Sequence, residues 1–89
     1  MMTAEWIAKE NIGNFRIIPA PENHTSELRD KLQNALRLGN EFKSKAVITF
    51  LTEEGPKKVE TTVWSLTDNY LQLKGGVLIP LKSLLDLDY

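Results

Sequence analysis

From residue 45 to residue 89 the chain meets turn chemistry every few residues. Glu53-Glu54-Gly55-Pro56, Thr67-Asp68-Asn69 and Gly75-Gly76 separate stretches that are β-branched or alternate apolar with polar. Lys45 to Thr52 puts Ala46, Ile48 and Phe50 on one face, and Tyr70 to Lys74 puts Leu71 and Leu73 inward. Lys57 to Leu66 is one long β-branched run. Val77 to Leu81 contains Pro80, which donates no ladder hydrogen bond and marks an edge or a strand end. Lys82-Ser83 reads as a single helical turn before a last short strand, Leu84 to Tyr89. Strands joined this tightly form a meander. A flat sheet of this size exposes one apolar face and two edges. Val47 and Leu51 oppose Ile48 and Phe50, and Trp64 and Leu66 oppose Val59 and Val63. Apolar residues on both faces suit strongly bent strands that close into a small barrel.

The first half has a different character. Leu28, Leu32, Ala35 and Leu36 make one apolar stripe, which predicts a helix over 26–40 with its clearest part at 26–38. Thr25 or Ser26 is placed to cap its start, and Gly39 or Asn40 to take the left-handed conformation that ends it. Residues 4–11 read as a short helix with Thr3 as cap and Gly13 as stop. Phe15 to Ile18 is β-prone and halts at Pro19-Ala20-Pro21, and Glu22-Asn23-His24 is loop. The fold class expected is mainly β with an N-terminal helix (α+β), a five-stranded SH3-like or Sm-like barrel. It is a single domain over 1–89, with an extension at 1–25, the helix at 26–40 and the barrel at 45–89.

Composition removes several functional classes. The 89 residues contain no cysteine, so disulfide frameworks, thiolate metal sites and cysteine nucleophiles are excluded. Eleven Lys and Arg against twelve Asp and Glu exclude a histone-like polycation and an acidic disordered tail. The N-terminal stretch carries no apolar core of a secretory signal, and the longest apolar runs are far shorter than a membrane span. The expectation is a cytoplasmic protein with no membrane partner. On that basis the sequon Asn23-His24-Thr25 reads as chance.

Catalysis needs a base beside a nucleophile, or paired carboxylates in different environments. The lone His24 sits in a loop beside Glu22, Glu53-Glu54 is a charged turn, and Asp86 and Asp88 alternate with Leu85 and Leu87 as the wet face of a strand. No acidic and histidine residues have metal-ligand spacing, and Gly75-Gly76 lacks the pattern of a phosphate loop. The expectation is no enzyme, no metal and no cofactor.

Two kinds of surface stand out. Residues 43–82 hold six lysines against four acids. Lys45, Lys57, Lys58, Lys74 and Lys82 are the candidate nucleic-acid contacts, with Lys45, Lys57 and Lys58 expected near one hairpin. Trp64 or Tyr70 is available for stacking, while the plainer reading puts Trp64 in the core. The second surface is a strand edge. Leu78, Pro80, Leu85, Leu87 and Tyr89 are the candidate interaction edge, since Leu84 to Tyr89 is too leucine-rich to lie bare.

The order of one helix, five bent strands and a helical turn before the last strand resembles the Sm-like family, whose bacterial members include the Hfq-type RNA chaperones. The resemblance rests on Leu32-Gln33-Asn34-Ala35-Leu36-Arg37, on Ala46-Val47-Ile48-Thr49-Phe50-Leu51, on Glu54-Gly55, and on Val63 through Lys74. It spans roughly residues 28–89. The stretch from Leu73-Lys74-Gly75-Gly76 to Ile79-Pro80-Leu81 also looks like uncharacterised bacterial SH3-like small-barrel proteins. Hfq-type proteins carry a Lys-His pair before the last strand, and the matching Pro80-Leu81-Lys82-Ser83 has the lysine without the histidine. The leading functional expectation is a non-enzymatic small-barrel protein that works through protein contact or as a homo-oligomer. The alternative implied by the resemblance is an RNA-binding module.

Overall fold

The computed structural model describes residues 4–21 and 25–89. Its strands are β1 (Glu5–Trp6), β2 (Ala46–Thr52), β3 (Gly55–Thr61), β4 (Val63–Leu66), β5 (Tyr70–Leu73), β6 (Leu78–Pro80) and β7 (Leu84–Asp88), with one α-helix, α1 (Thr25–Phe42). Short 3-10 helices occupy Lys9–Asn14 and Leu81–Ser83.

The β2–β3 hairpin is built by its turn. Thr52 Oγ1 donates to Gly55 O at 2.8 Å and accepts from Glu54 N at 3.1 Å. Gly55 takes φ 103°, a region that side-chain-bearing residues avoid. That turn sets Ala46 opposite Thr61 and Ile48 opposite Val59. β7 pairs on the other side of β2, with a register shift between Thr49 and Phe50. Ile48, Phe50, Val59, Leu84 and Leu87 are fully buried in consequence.

Two sheets result, ordered β1-β3-β2-β7 and β4-β5-β6. The long run expected at 57–66 is broken, because Thr62 alone separates β3 from β4. The chain leaves one sheet at Thr61 and enters the other at Val63. A second register shift follows between Val63 and Ser65, which makes Trp64 the extra residue against β5. The hydrogen-bonded ladders therefore make an α+β protein of two sheets and one helix, and they do not run round a closed barrel.

The N-terminal residues differ from expectation. Instead of a helix over 4–11, Glu5 and Trp6 pair in parallel with Lys57 and Lys58, and Ile7 N donates to Lys58 O at 2.9 Å. A helix this short is marginal alone, whereas the open edge of β3 offers ready hydrogen-bond partners. Ile12 anchors the segment, at 2% exposure. Phe15 to Ile18 contributes a single bridge, Ile17 to Thr52, rather than a strand.

α1 buries Leu28, Leu32 and Ala35 as its stripe requires, but it passes the expected stop. Gly39 stays helical, and Lys43 takes the left-handed conformation at φ 55°. Lys43 N then donates to Gly39 O at 3.0 Å, a left-handed helix cap. The glycine serves packing instead, since a Cβ at Gly39 would lie 2.5 Å from Val63 O and 3.2 Å from Thr62 Cγ2. Alanine in a helix interior ordinarily stabilises by about 1 kcal/mol over glycine. At this position the overlap with backbone reverses the sign. Gly39→Ala should lower the unfolding free energy by about 1 kcal/mol or more in a urea titration, and a stabilised variant would show that the helix does not press on the bend.

Candidate functional site

Thr62, the residue between the sheets, ties three segments together. Its carbonyl accepts from Lys74 N at 2.9 Å, after β5. Its hydroxyl donates to Lys43 O at 3.4 Å, after α1. Lys45 follows two residues later, immediately before β2. Lys43 and Lys45 are near neighbours in the chain and Lys74 is distant from both, and the bend at Thr62 brings it to them.

Two clefts adjoin this point. One, of about 360 Å³, is lined by Gly39, Asn40, Lys43, Lys45, Thr62, Trp64 and Lys74. The other, of about 400 Å³, is lined by Trp6, Ile7, Ala8, Lys9, Glu10, Lys45, Glu60, Thr61, Thr62 and Lys74. Lys45, Thr62 and Lys74 border both. Among the described residues no acidic side chain lines the first, whereas Glu10 and Glu60 partly offset the lysines of the second. Each cleft carries one tryptophan, Trp64 at 48% and Trp6 at 58% exposure. The hydroxyl of Thr61, a residue at 2% exposure, has no hydrogen-bond partner. A third cleft of about 420 Å³ lies between α1 and the β4–β5 turn, with Arg29, Gln33, Thr67 and Asp68 on its walls.

The five candidate lysines separate into groups. Lys45 and Lys74 meet at the clefts. Lys57 does not join them, because its residue is 6% exposed, its Nζ bonds Glu5 Oε1 at 3.1 Å, and it lies 5.0 Å from the Phe15 ring centroid. Lys58 sits 5.5 Å from the Trp6 ring centroid. Lys82 is exposed on the second 3-10 helix and borders neither lysine cleft. The expected grouping of Lys45, Lys57 and Lys58 is thus replaced by Lys43, Lys45 and Lys74. Sequence reading gave no role to Lys9 or Thr62 and did not single out Lys43 as a contact. Lys9 lines the Trp6-side cleft, Lys43 lines the Trp64-side cleft, and Thr62 borders both.

The aromatic residues also depart from expectation. Trp64 is at the surface and not in the core, on the face of β4 opposite buried Val63, and Tyr70 is 44% exposed. The proposed edge divides as well. Leu78 is half exposed, and Pro80 and Leu85 are intermediate. Leu87 is fully buried and belongs to the core, because its side of β7 faces inward. Tyr89 is half exposed, and its hydroxyl accepts from Asn34 Nδ2 at 3.0 Å.

His24 lies outside the described residues, as do Glu22 and Asn23. Among the described residues no three His, Asp or Glu side chains gather as a metal site would require. No helix among them is long and apolar enough to cross a membrane. No family model, curated protein or solved structure matches the chain.

The contrast between buried and surface lysines is measurable. Lys57→Ala removes a stem packed in the protein, the Glu5 partner and the Phe15 contact, and should cost about 1–2 kcal/mol of stability in urea. Lys45→Ala, at an exposed position, should stay within about 0.5 kcal/mol of the parent. Equal effects would mean that Lys57 is not held as described.

Proposed function

We propose that the chain is a non-enzymatic, cytoplasmic small-barrel protein that acts through self-association of its strand edges. Counting β3 and β4 as one strand bent at Thr62, the strand order runs β7, β2, β3/β4, β5, β6. That five-strand succession, with a 3-10 turn before the last strand, supports the reading as an SH3-like or Sm-like barrel, opened between β6 and β7.

The observation that carries the self-association reading is the pair of open edges. β6 and β7 each end a sheet, and among the described residues no further strand pairs with their outer sides. Leu73 N donates to Val77 O and Leu81 N donates to Asn69 O, so alternation leaves the Leu78 N–H and C=O facing outward. Pro80 occupies the next outward position, where its missing N–H costs nothing in the monomer. Leu78, half exposed on this strand, supplies the apolar contact. Pairing of β6 from one copy with β7 of the next is a head-to-tail contact, which builds rings or open chains according to the rotation. Leu85, intermediate in burial, is the extra residue at the β7 register shift on that other edge strand.

A second reading is favoured by the lysines around Thr62. Three cations and an exposed tryptophan at one cleft suit binding of single-stranded nucleic acid.

Light scattering behind a sizing column tests the first reading. The parent chain should be larger than a monomer at tens of micromolar, and Leu78→Lys should shift it towards 10.1 kDa. A parent that stays monomeric at every concentration would overturn it.

A further inference from the structure

We infer that the two clefts around Thr62 form one track for a single strand of RNA or DNA. One base lies against Trp6, another against Trp64, and the phosphates between them rest on Lys45 and Lys74. The inference deepens the nucleic-acid reading and adds the N-terminal segment to it.

The geometry carries it in two ways. First, the two shared residues with charge, Lys45 and Lys74, lie between the tryptophans, not at one end. Alternating aromatic, cationic and aromatic groups match base, phosphate and base along an unpaired strand. Second, the scale is suitable. Trp6 pairs with Lys58, and six residues of near-extended chain from Lys58 to Trp64 span at most about 20 Å. That is a length of a few nucleotides, within the usual site size of a small nucleic-acid-binding barrel. A duplex is a poor match, since its base faces are already stacked. An acidic peptide would answer the lysines but not the two exposed indoles.

The chain contains only two tryptophans, so each cleft carries its own fluorescent reporter. Oligo(dT) and oligo(U) of about ten nucleotides are titrated at low salt into the full chain, into Trp6→Phe and into Trp64→Phe. Both single-tryptophan variants should be quenched on binding. Lys45→Ala combined with Lys74→Ala should weaken binding about tenfold or more, and lower the slope of log affinity against log salt by about 0.7 per lysine. Arg16→Ala should leave affinity unchanged. Arg16 pairs with Glu53 at the β2–β3 turn, the end of β2 opposite Lys45.

Quenching of Trp64 with a silent Trp6, and full affinity in Trp6→Ala, would overturn the two-cleft track while leaving a nucleic-acid site at the lysines. A free mononucleotide binding as tightly as the oligomers would also overturn the track. Polyglutamate competing as well as the oligomers would replace nucleic acid with an acidic polypeptide. Absence of any anisotropy change with labelled oligomers at low salt would overturn both the track and the reading beneath it.

Discussion

The structure depends on one break in one strand. Had β3 continued through residue 62 without interruption, Val63 to Leu66 would extend the first sheet and leave β5 and β6 without a foundation. Thr62 instead spends its carbonyl on Lys74 N and its hydroxyl on Lys43 O. Both bonds hold segments that the ladders do not reach. The helix reinforces the break from outside, since Gly39 meets Val63 O closely enough to exclude a side chain. Between them these contacts couple α1, β3, β4 and the β5–β6 turn at one point. They also explain why Lys74 shares a surface with Lys43 and Lys45, which lie far from it in sequence.

The N-terminal segment solves a separate problem. β3 would be an open edge of the first sheet without it. Two residues of parallel pairing are too few to be stable alone, and the segment is held at further points. Ile12 is buried, Glu5 reaches the nearly buried Lys57 ammonium, and Ile18 N donates to Leu51 O at 3.1 Å. Ala20 N then donates to Lys82 O at 2.8 Å, so the segment runs from the β3 edge across to the turn before β7. The Glu5 end of the ion pair is largely exposed, which limits its energetic value. Its geometric effect is larger, because it fixes Lys57 inside and leaves Trp6 outside.

Much of this was readable from the amino acids, and the failures have definite causes. The apolar stripe of α1, the turns at 53–54 and 74–76, the helical turn before β7 and the edge at Pro80 all follow from local chemistry, which the residues themselves carry. Gly39 misled because a glycine near a helix end suggests a cap, and only the approach of Val63 reveals its packing role. Trp64 misled because a large indole suggests core, although alternation already set it opposite Val59 and Val63, and those two are the buried ones. Lys57 alternates correctly as well, but the face it points to is covered by Glu5 and Phe15 from the N-terminal segment. Leu87 looked like an exposed edge residue, yet β7 is short and its inward positions are core. Each error concerns a contact between residues far apart in sequence.

That pattern bears on how a nearly neutral chain acquires a distinct surface. A net charge of -1 gives no hint of a cleft lined by lysines. Net charge governs long-range behaviour, whereas binding at a groove responds to charges within about 8–10 Å at ordinary ionic strength. Around Thr62, Lys43, Lys45 and Lys74 line a cleft whose walls carry no acidic side chain among the described residues. Glu53 and Asp86, by contrast, are answered by Arg16 and Lys31 elsewhere on the fold. The chain therefore separates its charges by topology rather than by composition. The same break that divides the sheets produces that separation, which makes the groove and the fold consequences of one residue's hydrogen bonds.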